Sequence, residues 1–269
     1  MSTLSFDRCC AEITAQTDLL RAHVKGSDMR ARVPSCPGWN LGRLLRHIGG
    51  THRWAEETVR TRATGPVPDD PVGDAALARY ADEDGAFLDA WLAEGAGRLA
   101  HTLREAGPGV EVWSPSEERS AAFWARRMTH ETAVHRADAA LTARADYGLD
   151  EEVALDALDE WMTFASYAEA AETPPGGPAL LGPGRTLHFH ATGAAPGTTA
   201  GEWLVDLTGD TARWSHAHAK ASVAVRGSLT DLVLFVYRRP TPSGTGGVEI
   251  LGDEPLLDLW LERSGFWLK

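Results

Sequence analysis

The sequence predicts two domains of different class: a helical bundle over residues 1–172, a linker at 173–184, and a small α+β domain with an antiparallel sheet over 185–269. Three observations carry that expectation. Long segments with apolar residues at helical spacing fill the first part of the chain. Composition then breaks at Glu172–Gly184, where T-P-P-G-G-P and G-P-G interrupt any regular element. Short alternating segments separated by glycine-containing turns follow the break.

The first helix is expected from Ser5 to Val24, with Phe6, Ile13, Leu19, Leu20 and Val24 on its apolar side. Pro34 and Pro37, with Gly38 between them and Asn40, exclude helix from the next stretch and leave Asn40 as a cap. The second helix then runs from Leu41 to Arg60, with Leu41, Leu44, Leu45, Ile48 and Val59 inward. His47 lies at the margin of that face, and Asn40, Arg43, Thr51 and Trp54 surround it at helical spacing, a polar and aromatic strip suited to a cleft wall. Two glycines in mid-helix, Gly49 and Gly50, cost about 1 kcal/mol each relative to alanine, which suggests a neighbour or ligand in close approach. His52 and His101 read as surface or structural histidines. A third helical pattern covers Asp74 to Ala106, with possible breaks at Gly85 or Gly95–Gly97 and with Trp91, Leu92, Leu99 and Leu103 inward.

The fourth helix, expected from Glu117 to Ala143 with Ser116 as its cap, carries the most unusual face in the chain. At about 100° per residue, Glu131, His135 and Asp138 share one stripe, which Arg127 and Trp124 continue toward the N-terminus. The opposite side, with Ala122, Arg126, Thr129, Ala133, Arg136 and Ala140, is small and basic. Carboxylates at an apolar edge must be satisfied there, since an unpaired buried one costs several kcal/mol. Internal pairing of Arg127 with Glu131 and of His135 with Asp138 would do so. A metal ion also would, because Glu and His at i and i+4 sit about 6 Å apart along the axis and can converge on one cation. H-E-x-x-x-H at 130–135 is one residue too long for a zinc-protease motif, and His130 falls off the stripe. A fifth helix from Glu151 to Ala171, burying Val153, Leu155, Leu158, Trp161, Met162 and Phe164, bridges to the linker.

In the second domain Leu187–Thr192, Glu202–Thr208, Ala212–His216 and Ala221–Val225 alternate as strands. His188 and His190 share one strand face, for which a solvated surface is the simplest account. Ser228 caps an apolar helix to Tyr237, with Asp231 at its third position. Val248–Leu251 adds a strand, and Pro255 starts a last helix to Glu262.

A net charge of -12 argues against nucleic acid or an anionic membrane as partner. Three cysteines, Cys9, Cys10 and Cys36, form no metal-binding or disulfide spacing. With no signal-like leader and no long apolar run, a reducing cytoplasmic setting is expected.

P-S-C-P-G-W-N-L-G-R-L-L-R-H at 34–47 and R-R-M-T-H-E-T-A-V-H-R-A-D at 126–138 together resemble the mycothiol-dependent maleylpyruvate isomerase family. G-S-L-T-D-L-V-L-F-V-Y-R-R-P at 227–240 and V-E-I-L-G-D-E-P-L-L at 248–257 are similar to that family's C-terminal domain. The resemblance implies a DinB-like four-helix bundle, a small sterol-carrier-like domain, and a divalent metal, usually zinc, held by His47, Glu131 and His135. It also implies mycothiol as cosubstrate and either isomerase or S-transferase activity on a small electrophile. Three protein ligands leave a position open, as in a catalytic zinc site. A free thiol of pKa about 8.5 is roughly one-tenth ionised near pH 7.5, so deprotonation contributes little more than about 1.4 kcal/mol. Positioning the thiolate against its electrophile can contribute about 7–11 kcal/mol. In this scheme Asp138 orients His135 or a neighbouring ligand, while Arg127, Arg43 or, from the second domain, Arg238 could hold an anionic substrate, an ordinary ion pair being the rival reading of each and the preferred one for Arg43, and Trp54 with Arg43 would line the thiol site. Two histidines and a carboxylate also match the facial triad of non-haem iron oxygenases, and an internally paired core of a non-catalytic ligand-binding protein remains a third possibility.

Overall fold

The computed structural model describes residues 4–67, 85–167, 178–193, 200–240 and 247–265. The chain divides into two compact units, Leu4–Tyr147 and Gly148–Lys269. Among the described residues no helix is long and apolar enough to cross a membrane.

Among the described residues the first unit is a four-helix bundle. Helix α1, Phe6–Val24, starts at Ser5, whose side chain accepts the Arg8 amide. It buries Ile13, Leu20 and Val24 but leaves Leu19 45% exposed, because Leu19 lies one residue off the stripe that Leu20 occupies. Helix α2 has the predicted bounds, Leu41–Arg60, and Asn40 accepts the Arg43 amide as its cap. The preceding loop is closed by the Val33 amide donating to the Trp39 carbonyl at 3.0 Å, with Gly38 at φ 82 supplying a conformation that a side chain would strain.

Helix α3 is described from Gly85 to Ala106; the expected start at Asp74 falls outside the described residues. It runs unbroken through Gly95 and Gly97, against the possible breaks there. Both Gly49 and Gly95 have a steric motive. A Cβ on Gly49 would stand 2.1 Å from the Trp91 ring, and one on Gly95 2.4 Å from the Arg53 guanidinium. Arg53 in turn lies over the Trp91 ring, 4.0 Å from its centroid. The mid-helix glycine therefore accommodates a tryptophan of α3.

Helix α4, Ala121–Ala143, begins four residues later than expected. Ser120, not Ser116, accepts the Phe123 amide; Ser116 is used in a turn, accepting the Glu118 amide. A serine with a helix-forming sequence behind it signals a cap, but two such serines give no means of choosing between them. The small side of α4 is buried as deeply as its polar stripe: Thr129, Ala133 and Ala140 are at most 1% exposed. Short side chains let α1 approach closely enough for the Thr129 hydroxyl to donate to the Cys9 carbonyl at 3.0 Å.

The second unit opens with helix α5, Glu151–Ala165, capped by Asp150. Composition marked the domain boundary at 173–184, whereas the compact units divide at Tyr147/Gly148, so α5 groups with the sheet. Its Trp161 packs on Tyr237, ring centroids 4.7 Å apart, and the Asp159 carboxylate accepts the Trp203 indole N–H at 2.7 Å.

Strands β1 (Thr186–Ala191), β2 (Glu202–Asp206), β3 (Arg213–Ser215), β4 (Val223–Gly227) and β5 (Glu249–Gly252) form one sheet in the order β3-β2-β1-β4-β5. The sheet is mixed, correcting the expectation of an antiparallel one: β1 and β4 pair in parallel, and the other three pairs are antiparallel. Alternation reports which face a residue takes, not the direction of its neighbour. Since β3 runs in the direction of β1, the chain must return along residues 216–222 to start β4 beside the start of β1. There the Ser222 amide donates to the Thr186 carbonyl at 3.1 Å. Helix α6, Leu229–Val236, is capped by Ser228 as predicted, and helix α7 runs Glu254–Ser264 with Pro255 in its first turn. Leu187, Phe189, Trp203, Val223, Val225 and Trp260 are fully buried in this core.

Candidate metal centre

Helices α2 and α4 bring His47, Glu131 and His135 together. His47 Nε2 lies 3.1 Å and His135 Nε2 3.3 Å from the same oxygen, Glu131 Oε1. One ligand atom from each of the three residues falls within 4.8 Å of the others. The imidazole rings of His47 and His135 meet edge to face, centroids 4.9 Å apart.

Around that trio the pairings expected within α4 are also made. Arg127 donates to Glu131 Oε2 at 2.6 Å, on the oxygen away from the histidines. His135 Nδ1 donates to Asp138 Oδ2 at 2.7 Å, which leaves its Nε2 on the side of Glu131. Pairing and convergence therefore coexist, because each bidentate group uses one atom for each.

Asp138 is fully buried, and donors besides His135 reach it. Ser35 Oγ donates at 2.5 Å and Cys36 Sγ at 3.3 Å, both from the loop before α2. The next residues of this loop deliver Trp39, whose ring stacks on His135 (6.0 Å, 14°) and meets the His47 ring edge-on at 4.9 Å. Arg43 lies over that indole, 5.0 Å from its ring centroid.

Electrostatics follow the geometry. Burial alone would raise the Glu131 carboxyl, but the Arg127 charge and hydrogen bonds from His135 and His47 outweigh it and hold the group well below the usual carboxylate range. Burial alone would lower His135, but the bonds to Asp138, Cys36 and Glu131 outweigh it and hold the imidazole well above its usual range. His52, one further turn along α2, behaves oppositely. It is fully buried, its Nε2 is hydrogen-bonded to Thr132 Oγ1 at 2.8 Å, and burial pushes it down to about 3. It is a neutral structural histidine. His130 is also fully buried and is not among the converging groups. His101 is exposed.

Five residues singled out from the sequence, His47, Arg127, Glu131, His135 and Asp138, thus meet in one network. Arg43 touches it through Trp39. Trp54 instead joins a tryptophan cluster, 4.9 Å from Trp124 and 6.1 Å from Trp113, with its N–H donated to the Val67 carbonyl. Arg238 belongs to the second compact unit, at φ 57 beyond α6. Trp39, Ser35 and Cys36 went unassigned from the sequence. The signal for them was Asp138 itself: a buried carboxylate needs more donors than α4 offers within a turn, and the proline-bounded loop supplies them.

What this donor set can do is bind a divalent cation through two imidazole nitrogens and one carboxylate oxygen, ligands suited to zinc or iron. The model of the mycothiol maleylpyruvate isomerase N-terminal domain matches residues 10–140, and that of the MDMPI C-terminal domain matches residues 152–259. Among solved structures, the mycothiol-dependent maleylpyruvate isomerase superposes with a TM-score of 0.60 at 15% identity, covering 92% of this chain and 93% of that one. A histidine-to-alanine mutant of that enzyme gives the same TM-score of 0.60. No curated protein matches the sequence.

Proposed function

The chain belongs to the mycothiol-dependent maleylpyruvate isomerase family, and on that premise we propose that it is a metal-dependent thiol enzyme of the isomerase or S-transferase type, acting on a small electrophile with mycothiol as cosubstrate. The observation that carries the proposal is the convergence of His47, Glu131 and His135 from two helices, with His135 oriented by a buried Asp138. The donor set fits a divalent ion and leaves room for a thiol sulfur, and it is that soft fourth ligand that favours zinc. Bound there, such an ion would favour the thiolate form of the cosubstrate over the thiol.

The chain's own residues account for the rest. Arg127 keeps Glu131 ionised, so the carboxylate is available as a ligand. Asp138 fixes the His135 tautomer with Nδ1 as donor, and Ser35 and Cys36 hold Asp138 in place. Trp39 stacks on the His135 ring and meets the His47 ring edge to face, so it packs against both imidazoles. Arg43, lying against Trp39, is suited to a substrate carboxylate. In isomerisation the thiolate adds to one carbon of an activated cis double bond, the remaining single bond rotates, and loss of the thiolate restores the double bond as trans. In transfer the new carbon–sulfur bond is kept and a leaving group or a proton balances the product.

Purified protein is to be assayed for metal content, and for turnover with mycothiol of maleylpyruvate and of a panel of alkylating and Michaelis electrophiles. We expect mycothiol-dependent turnover in this set, and His47→Ala to lose one equivalent of metal together with that turnover. Metal content and turnover unchanged by His47→Ala would overturn the proposal. Iron with oxygen uptake on substrate would replace it by an oxygenase.

A further inference from the structure

The second unit holds a cluster of ligand-type side chains that the proposed chemistry does not use. Four of the chain's ten histidines fall between positions 188 and 218, in two H-x-H pairs. Rather than the solvated face expected for the first pair, His188 is 6% exposed and both rings turn onto one carboxylate. Strand period places His188 and His190 on the same face of β1, and antiparallel register sets Glu202 of β2 directly opposite His190. Leu187 and Phe189, on the other face, point into the core.

The return segment 216–222 completes the cluster. His216 donates from Nδ1 to the Glu202 backbone carbonyl at 3.0 Å, which anchors the segment beside β2. His218, two residues on, then reaches the Glu202 side chain. Oε2 of Glu202 takes His188 Nε2 at 2.6 Å, while Oε1 takes His190 Nδ1 at 2.7 Å and His218 Nδ1 at 3.0 Å. The three rings stand around the carboxylate with centroids 5.2–6.1 Å apart. Arg226 neighbours His190 across the sheet, and its guanidinium is directed to Glu249, 3.9 Å away.

One carboxylate does not need three imidazoles to be satisfied. The His218 side chain is 71% exposed, so holding it there gives up rotamer freedom for a bond that water would otherwise supply. A shared cation removes that difficulty. One atom from each of His188, His190, Glu202 and His218 already lies within 4.8 Å of the other three. Tetrahedral coordination at about 2.0–2.1 Å would draw them to roughly 3.4 Å, a shift that the exposed His218 can absorb. We propose that His188, His190, Glu202 and His218 form a second metal site, for a zinc-class divalent ion, that ties β1, β2 and the 216–222 segment of the second unit together. Three nitrogens and one oxygen fill a tetrahedron, the arrangement of a structural rather than a catalytic ion.

The test uses the full chain stripped of metal and titrated with Zn²⁺, with Co²⁺ as a spectroscopic substitute. His47→Ala protein should bind one equivalent and give the intense visible absorption of tetrahedral Co²⁺. The double variant His190→Ala, His218→Ala should bind one equivalent less than the unaltered chain and lack that contribution. His218→Ala alone changes only an exposed side chain, and should weaken zinc binding by at least about tenfold with an unchanged circular dichroism spectrum. If the unaltered chain binds one equivalent and the double variant none, this site stands and the bundle site falls. Zinc uptake by the double variant equal to that of the unaltered chain, or no zinc bound by His47→Ala protein, shows a hydrogen-bonded cluster only and overturns the inference.

Discussion

Two buried histidines, one on α2 and one on α4, are shifted in opposite directions, and the difference lies in what each finds on burial. His52 meets a hydroxyl and is pushed down to about 3, so it stays neutral in the folded protein. His135 meets Asp138 on one side and Glu131 on the other, which together reverse the effect of burial. A buried carboxylate, more than a buried imidazole, therefore marks the site, and Asp138 can be tested for its orienting role. In Asp138→Asn one of the two accepting oxygens becomes an NH2 donor, which must face either Ser35 or the Cys36 and His135 side, each of which now donates to an oxygen. Leaving one buried donor unsatisfied costs about 1–3 kcal/mol, and releasing a ligand's tautomer typically weakens metal binding by about 10- to 100-fold. We expect a lower melting temperature and metal affinity reduced in that range, measured by competition with a chelator. Affinity unchanged within a factor of two would show that Asp138 only fills space.

Between elements, packing is set by where side chains are missing as much as by where they stand. Gly49 and Gly97 make opposite predictions. Alanine at Gly49 would place a methyl 2.1 Å from the Trp91 ring, and that ring cannot retreat freely because Arg53 lies 4.0 Å from its centroid. Overpacking of this kind costs about 1–3 kcal/mol, enough to outweigh the gain of about 1 kcal/mol in helix propensity. Alanine at Gly97 meets nothing within 4 Å and should keep that gain. Thermal melts are thus expected to move down for Gly49→Ala and up for Gly97→Ala; the same direction for both would refute the close contact. The need for a near neighbour at Gly49 was legible in the sequence, and so were both ends of α2, because a proline-bounded loop and Asn40 allow no other start. The start of α4 was not, since Ser116 and Ser120 offer the same chemistry four residues apart. His47, Glu131 and His135 could be chosen because helical spacing fixes which residues share a face. Glu202 and His218 could not be joined to His188 and His190, since strand register and a return segment are tertiary facts that alternation does not encode.

At the scale of the molecule, composition and compactness set the boundary at different places. The proline and glycine run at 173–184 is the strongest punctuation in the chain, and a helix before it looks like the end of a bundle. Yet α5 buries Val153, Leu158, Trp161 and Met162, each at most 1% exposed, and Tyr237, on which Trp161 packs, comes from beyond the run. Helical periodicity reveals that a face is apolar and is silent about what will cover it. The division at Tyr147/Gly148 has a direct consequence for dissection. A fragment of residues 148–269 retains α5 and the Asp159 bond to Trp203, and should fold with a cooperative melt. A fragment of residues 173–269 leaves Tyr237 and the Trp203 indole N–H without those partners. It also forgoes the burial of four large side chains, about 1.5–3 kcal/mol each, against a typical domain stability of about 5–15 kcal/mol. Expressed side by side, the longer fragment should show dispersed amide resonances and a single unfolding transition in urea, and the shorter one neither. Equal cooperativity in both would return the boundary to the position that composition suggests.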